Sequence, residues 1–189
     1  MDDILEQVGE YEAELSQFVA DNELPKEWFG IADHIAVKGA DGADFERLVE
    51  VFKPQSDQIS CIDMDGRRLA TAQLTGNISV GKFGNVSWVE IMEPRPEKVG
   101  KDVVGMEHME FYFPDFTKVS RVLDDRKVQY EMQDNPGHHW VNIVINPKGQ
   151  ELKLNNKVLA DVVGQEIKTG ESYLLFNGSA NRVNGNIKE

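Results

Sequence analysis

The chain is poor in cysteine, with Cys61 alone among 189 residues. One thiol closes no internal disulfide and builds no cysteine zinc cluster, which excludes an oxidised scaffold and a zinc ribbon. Basic residues are also scarce: 20 Lys and Arg stand against 33 Asp and Glu, for a net charge of −13. That field repels a phosphate backbone, so general nucleic-acid binding is excluded, whereas cationic or metal partners are favoured. No apolar run nears the ~20 residues that a membrane helix needs. The opening residues, Met1-Asp2-Asp3-Ile4-Leu5-Glu6, are acidic where a secretory leader is basic. The sequence therefore predicts a cytoplasmic protein without membrane or nucleic-acid partners. The rest is ordinary globular material, 40% hydrophobic and 28% charged. At this length folding buries roughly 70% of the unfolded surface, enough for a core with an enclosed pocket.

Periodicity orders the elements. Ile4, Val8, Tyr11, Leu15 and Phe18 recur at helical spacing, and Pro25 ends the pattern. This amphipathic helix is expected to lie on the following domain as a lid or brace. Residues 31–38 alternate and read as a strand, followed by a helix over 44–52 that presents Phe45, Leu48, Val49 and Phe52 on one face. Strands over 58–64, 69–75 and 86–92 come next. Asp65-Gly66 marks a hairpin between the first two, and the glycine-containing stretch 76–84 reads as a loop. The order then repeats: a strand over 106–113, a helix from about 115 to 127 capped by Asp115, and strands over 128–132, 140–146 and 151–155. Asp33-His34 and Glu107-His108 stand at matching places in the two opening strands. A repeat of about 70 residues that reproduces the same element order twice is stronger than any single motif. The predicted fold is α+β: two βαβββ modules forming a curled, cup-like mixed sheet with an N-terminal helix. The boundaries are 1–28 for the helix, 29–94 and 106–156 for the modules, and 157–189 for a C-terminal extension, within one globular domain. The extension holds a short helix over 158–163, an edge strand over 172–176 and a polar tail.

Alternation decides which side chains share a face. His34 lies with Ala32 and Ala36, Glu90 with Trp88 and Met92, His108 with Glu110 and Tyr112, and Lys153 with Glu151 and Asn155. Matched strands of a curled sheet converge on its inner wall, which pairs His34 with His108 and Glu90 with Lys153. Two neutral imidazoles and one carboxylate around an open site suit Mn, Fe, Ni, Co or Zn as the divalent ion. Gln73 is a candidate to hold a small-molecule substrate. His138 and His139 read as loop residues at a strand start, and Arg67 and Arg68 as solvated charges.

Four segments carry a resemblance: ADHIAVK, VEIMEP, GMEHMEFYFPD and NPKGQELKL. They resemble the opening, fourth, fifth and closing strands of the vicinal oxygen chelate superfamily, which includes methylmalonyl-CoA epimerases and glyoxalase I. The Asp-His, the Glu-His-x-Glu, the closing strand with Lys and the N-terminal helix together look closest to the YecM-like group. The resemblance implies metal ligands on the first and fourth strands of each module, hence His34, Glu90 and His108. It also implies an isomerase, lyase or dioxygenase step on a small oxygen-rich substrate. One departure stands out. The superfamily closes its site with a carboxylate, and Lys153 occupies that position, where a protonated amine repels a cation. Glu110 then becomes a fourth ligand or a catalytic base, and Lys153 a substrate-binding or basic group. Alternatively, Lys153 pairs with Glu90 and the cup is a metal-free binding module. A monomer or a homodimer satisfies the pairing of modules.

Overall fold

The apolar spacing at the start of the chain does form a helix, α1 (Asp2–Asp21), with Asp2 and Asp3 in its first turn, where acids complement the helix dipole. The computed structural model describes residues 1–135 and 137–178. Pro136 and the polar tail beyond Gly178 lie outside them. The first module comprises β1 (Ala32–Lys38), α2 (Gly42–Phe52), β2 (Ser56–Met64), β3 (Arg67–Ser79) and β4 (Asn85–Met92). The second comprises β5 (Gly105–Tyr112), α3 (Val119–Asp125), β6 (Glu131–Asn135), β7 (His138–Val144) and β8 (Glu151–Asn155). After them come α4 (Leu159–Thr169) and β9 (Tyr173–Asn177).

The nine strands of the described residues form one mixed sheet in the order β6-β7-β8-β5-β1-β4-β3-β2-β9. The antiparallel β1–β5 pair joins the modules at the centre. Each opening strand runs parallel to its module's last strand, β1 with β4 and β5 with β8. The two halves are therefore arranged alike about the centre, as the repeat predicts. The sheet is open and curled, and β9 extends it beyond β2.

Local chemistry accounts for the turns. Asp65 and Gly66 both adopt positive φ, 53° and 75°, as a two-residue hairpin with the twist of its strands requires. Asp41 caps α2 by accepting from the Asp44 N–H at 2.9 Å. Asp115 accepts from the Thr117 N–H at 3.1 Å, but this starts a 3-10 turn, and α3 covers only Val119–Asp125. Lys127 at φ 58° follows it, so the helix predicted over 115–127 is shorter. β3 runs on through residues expected in a loop, since Ile78 and Ser79 pair with Val86 and Asn85 beyond a register shift. α4 is longer than predicted, because Gly170, left-handed at φ 77°, is the first residue suited to end it.

The main core lies on one side of the sheet. Helices α1 to α3 bury Tyr11, Leu15, Phe45, Phe52 and Leu123 against strand residues such as Ile35, Val89, Met109 and Leu152. Thus α1 is a brace. Tyr11 fastens it: its hydroxyl donates to the Glu151 carbonyl at 2.6 Å and accepts from the Met109 N–H at 3.1 Å. Tyr11→Phe is expected to cost about 1–3 kcal/mol, since both main-chain partners stay buried without the hydroxyl. Urea unfolding measures it, and an unchanged midpoint would mean that the brace does not depend on the hydroxyl. Arg68, expected as a solvated charge, instead lies over the Phe45 ring at 4.4 Å and bonds Glu93 at 2.9 Å.

Candidate metal centre

The opposite face of the sheet carries the polar side chains. On β1 and β5 the register sets Ala36 beside His108 and His34 beside Glu110. On β4, Glu90 pairs with Ala36, and on β8, Lys153 pairs with Glu110. His34, Glu90, His108, Glu110 and Lys153 therefore surround one cavity of about 180 Å³. Leu159 and Val162 of α4 line it as well, so α4 lies on the cup side of the sheet.

The ladder is interrupted twice, both times at an acid. Ala32 and His34 face the consecutive residues Phe111 and Glu110, leaving Asp33 as an extra residue. Ala36 and Val37 face His108 and Met106, leaving Glu107 extra. These bulges defeat strict alternation, which would send each acid to the face opposite its neighbouring histidine. Asp33 Oδ2 consequently reaches His34 Nδ1 at 2.8 Å, and Glu107 Oε2 reaches His108 Nδ1 at 2.7 Å. A carboxylate on Nδ1 fixes that nitrogen as the donor, so that in the neutral ring the lone pair sits on Nε2. The same acid-histidine device thus occurs in both modules. The adjacent acid and histidine were its visible signal in the sequence, but alternation alone hides that the pair cooperates.

The two acids have different supports. Glu107 gives its other oxygen to the buried Lys38 ammonium, which also donates to Asp102 at 2.8 Å. Asp33 accepts in addition from the Leu159 N–H at 2.9 Å, which ties the start of α4 to the brace of His34.

The donors fit an ion. One atom each of His34, Glu90 and His108 lies within 4.8 Å of the others. His108 is 1% exposed, and its Nε2 is buried without a hydrogen-bond partner among the described residues. It stands 3.9 Å from Glu90 Oε2, and His34 Nε2 stands 4.0 Å from Glu110 Oε2. These gaps exceed a hydrogen bond, yet two ligands across an ion with bonds of about 2 Å sit about that far apart. Burial and the nearby Lys153 charge push His108 down to about 4, so its ring is a neutral ligand at pH 7. Burial pulls His34 the same way, but Glu110, Asp33 and Glu90 outweigh it and raise it to about 8. A field that draws a proton to His34 also draws a metal ion. Burial raises the Glu110 carboxyl, against the pull of His34 and Lys153.

Other expected residues fall differently. Glu110 groups with Asp33 and His34, not with Glu90 and His108. Lys153 makes its ion pair with Glu151 at 3.7 Å, and none joins it to Glu90. Gln73 pairs with Trp88 on β3 and β4, two positions along from Glu90, outside the residues that line the cavity. His138 and His139 belong to β7 and not to a loop, and His138 lines the cavity. A larger hollow, about 820 Å³, lies between Phe18 of α1 and the β6–β7 strands. No cluster of metal-type donors lies there among the described residues, so the smaller cavity is the candidate site.

The family model for the YecM protein matches residues 1–167. The chain belongs to the YecM family. The solved structure of the structural-genomics protein EC4020 is similar over 87% of this chain and 92% of its own, with 19% identity and a TM-score of 0.70. Methylmalonyl-CoA epimerase from Mycobacterium tuberculosis is similar over 70% of this chain and 91% of its own, with 16% identity and a TM-score of 0.45. The fosfomycin resistance protein FosX from Mesorhizobium loti is similar over 71% and 97%, with 12% identity and a TM-score of 0.27. No curated protein matches the sequence. The likeness to EC4020 extends to the overall fold, a mixed sheet built here from two βαβββ modules. Among the described residues no helix is long and apolar enough to cross a membrane.

Proposed function

We propose that this YecM family protein binds one divalent transition metal, Mn, Fe, Co, Ni or Zn, through His34, Glu90 and His108. The observation that carries the proposal is the buried Nε2 of His108, unpartnered and beside Glu90. A bound divalent ion supplies Lewis-acid polarisation of a substrate oxygen. Asp33 and Glu107 orient the two rings, and α4 shields the cavity from water. Glu110, raised by burial, takes or returns a proton next to the substrate. Lys153 faces an anionic group. This division of labour suits an isomerase, lyase or dioxygenase acting on a small oxygen-rich substrate.

Elemental analysis of protein purified without chelator tests it. About one equivalent of transition metal is expected, and Glu90→Gln should lower it. Protein that stays metal-free after incubation with all five ions would overturn the proposal. That outcome would favour a metal-free binding module, for which Lys153 at the closing position is the supporting feature. Asp33→Ala is expected to weaken metal binding by about 10–100-fold, the usual cost of losing a ligand's orienting partner. Competition against a chromogenic chelator measures it, and unchanged affinity would remove Asp33 from the site.

A further inference from the structure

The cavity is electrically divided along the sheet. The acids and the two candidate imidazole ligands come from β4, β1 and β5. Beyond them, β8 and the segment after it supply Lys153 and Lys157, and β7 supplies His138. Lys153 has a single long ion pair, to Glu151, which does not line the cavity. Lys157 makes no ion pair among the described residues. Asn155 and His138 both line the cavity, and His138 Nε2 is buried without a hydrogen-bond partner among the described residues. A neutral ligand would leave two ammonium groups and this nitrogen unmatched. A carboxylate has two oxygens and about four lone-pair sites for them.

We infer that the cationic end binds the carboxylate of a 2-hydroxy or 2-oxo acid, whose vicinal oxygens point toward His34, Glu90 and His108. This rests on the metal reading for the orientation of the acid, but not for its capture. The charge distribution agrees: Glu90 lies with the imidazoles, while at the other end Lys153 keeps only its long pair to Glu151 and Lys157 has no ion pair among the described residues. The size agrees as well. A cavity of about 180 Å³ admits a small organic acid. A second hollow of about 360 Å³ shares Lys157 and Val162 with it and also meets Tyr112. A longer acid has room for its tail there.

Calorimetric titration of the full chain, metal-free and loaded with Mn(II) or Zn(II), tests the inference. The probes are lactate, glycerate and pyruvate, the neutral 1,2-propanediol, and inorganic phosphate. The acids are expected to bind at least tenfold tighter than the diol or phosphate. Lys153→Met should weaken them at least tenfold with its metal content unchanged, and Lys157→Met should weaken them less. Equal binding of acid and diol, or acid binding untouched by Lys153→Met, would overturn it. Phosphate binding above the acids would reassign the cationic end to phosphate or phosphonate groups and overturn the carboxylate. Metal content, measured in parallel, separates the two proposals. Acid binding lost in Lys153→Met without any metal would sustain the carboxylate site while the metal centre fails. Metal uptake with no acid binding would do the reverse.

Discussion

His108→Ala is expected to reduce bound metal from about one equivalent to nearly none. The reason is local. Nε2 of His108 is a buried lone pair, aimed by Glu107 and left without a protein partner. Removing an orienting partner alone costs about 10–100-fold in affinity, so removing the ligand costs at least that much. His34→Ala should behave likewise, since Asp33 gives it the same brace. Gln73→Ala, on the same sheet face but outside the cavity, should bind metal normally. Both histidine variants should keep the far-UV spectrum of the parent, because the main core lies across the sheet from them. Full metal stoichiometry in either histidine variant would end the ligand assignment.

The second large effect is on stability. Lys38→Ala is expected to destabilise the metal-free protein by about 3–5 kcal/mol, the usual result of leaving one member of a buried pair alone. Lys38 is 4% exposed and Glu107 9%, so water cannot replace the ammonium that Glu107 loses. The double variant Lys38→Met with Glu107→Gln should recover most of the loss, because the unpaired charge is gone and a side chain of similar size fills the space. It should not recover metal affinity, since a neutral amide is a weaker acceptor for His108 Nδ1. Guanidinium unfolding and metal titration separate the two effects. A single variant as stable as the parent would show that Lys38 contributes nothing beyond its stem.

The strands and helices were legible where one face is buried. Ile4, Val8, Tyr11 and Leu15 mark α1 because a helix on a sheet must bury one stripe. The repeat was legible for the same reason, twice over. His34, Glu90 and His108 could be placed on one face because their immediate strand neighbours alternate. The braces could not, because Asp33 and Glu107 sit in bulges, and a bulge depends on the register between strands far apart in sequence. His138 was misplaced for a similar reason. Residues 138 and 139 follow a proline-glycine turn signal, yet pairing with Asn135 and Asp134 draws them into β7. α4 could be seen as a helix, but not as the cover of the cavity, since Leu159 reaches Asp33 only in three dimensions.

The path of the last segment has a consequence for how the site is made. The chain leaves β8 in the second module, passes over the cavity as α4 and pairs as β9 with β2 at the far edge of the first. Both modules precede this segment, so on a ribosome the proposed ligands emerge before α4. The cup is open to the solvent during that interval, and the Asp33 carboxylate has only His34 to hold. Loading at that stage requires no later opening of α4. Metal supplied during synthesis should therefore fill the site faster than metal added to the finished protein.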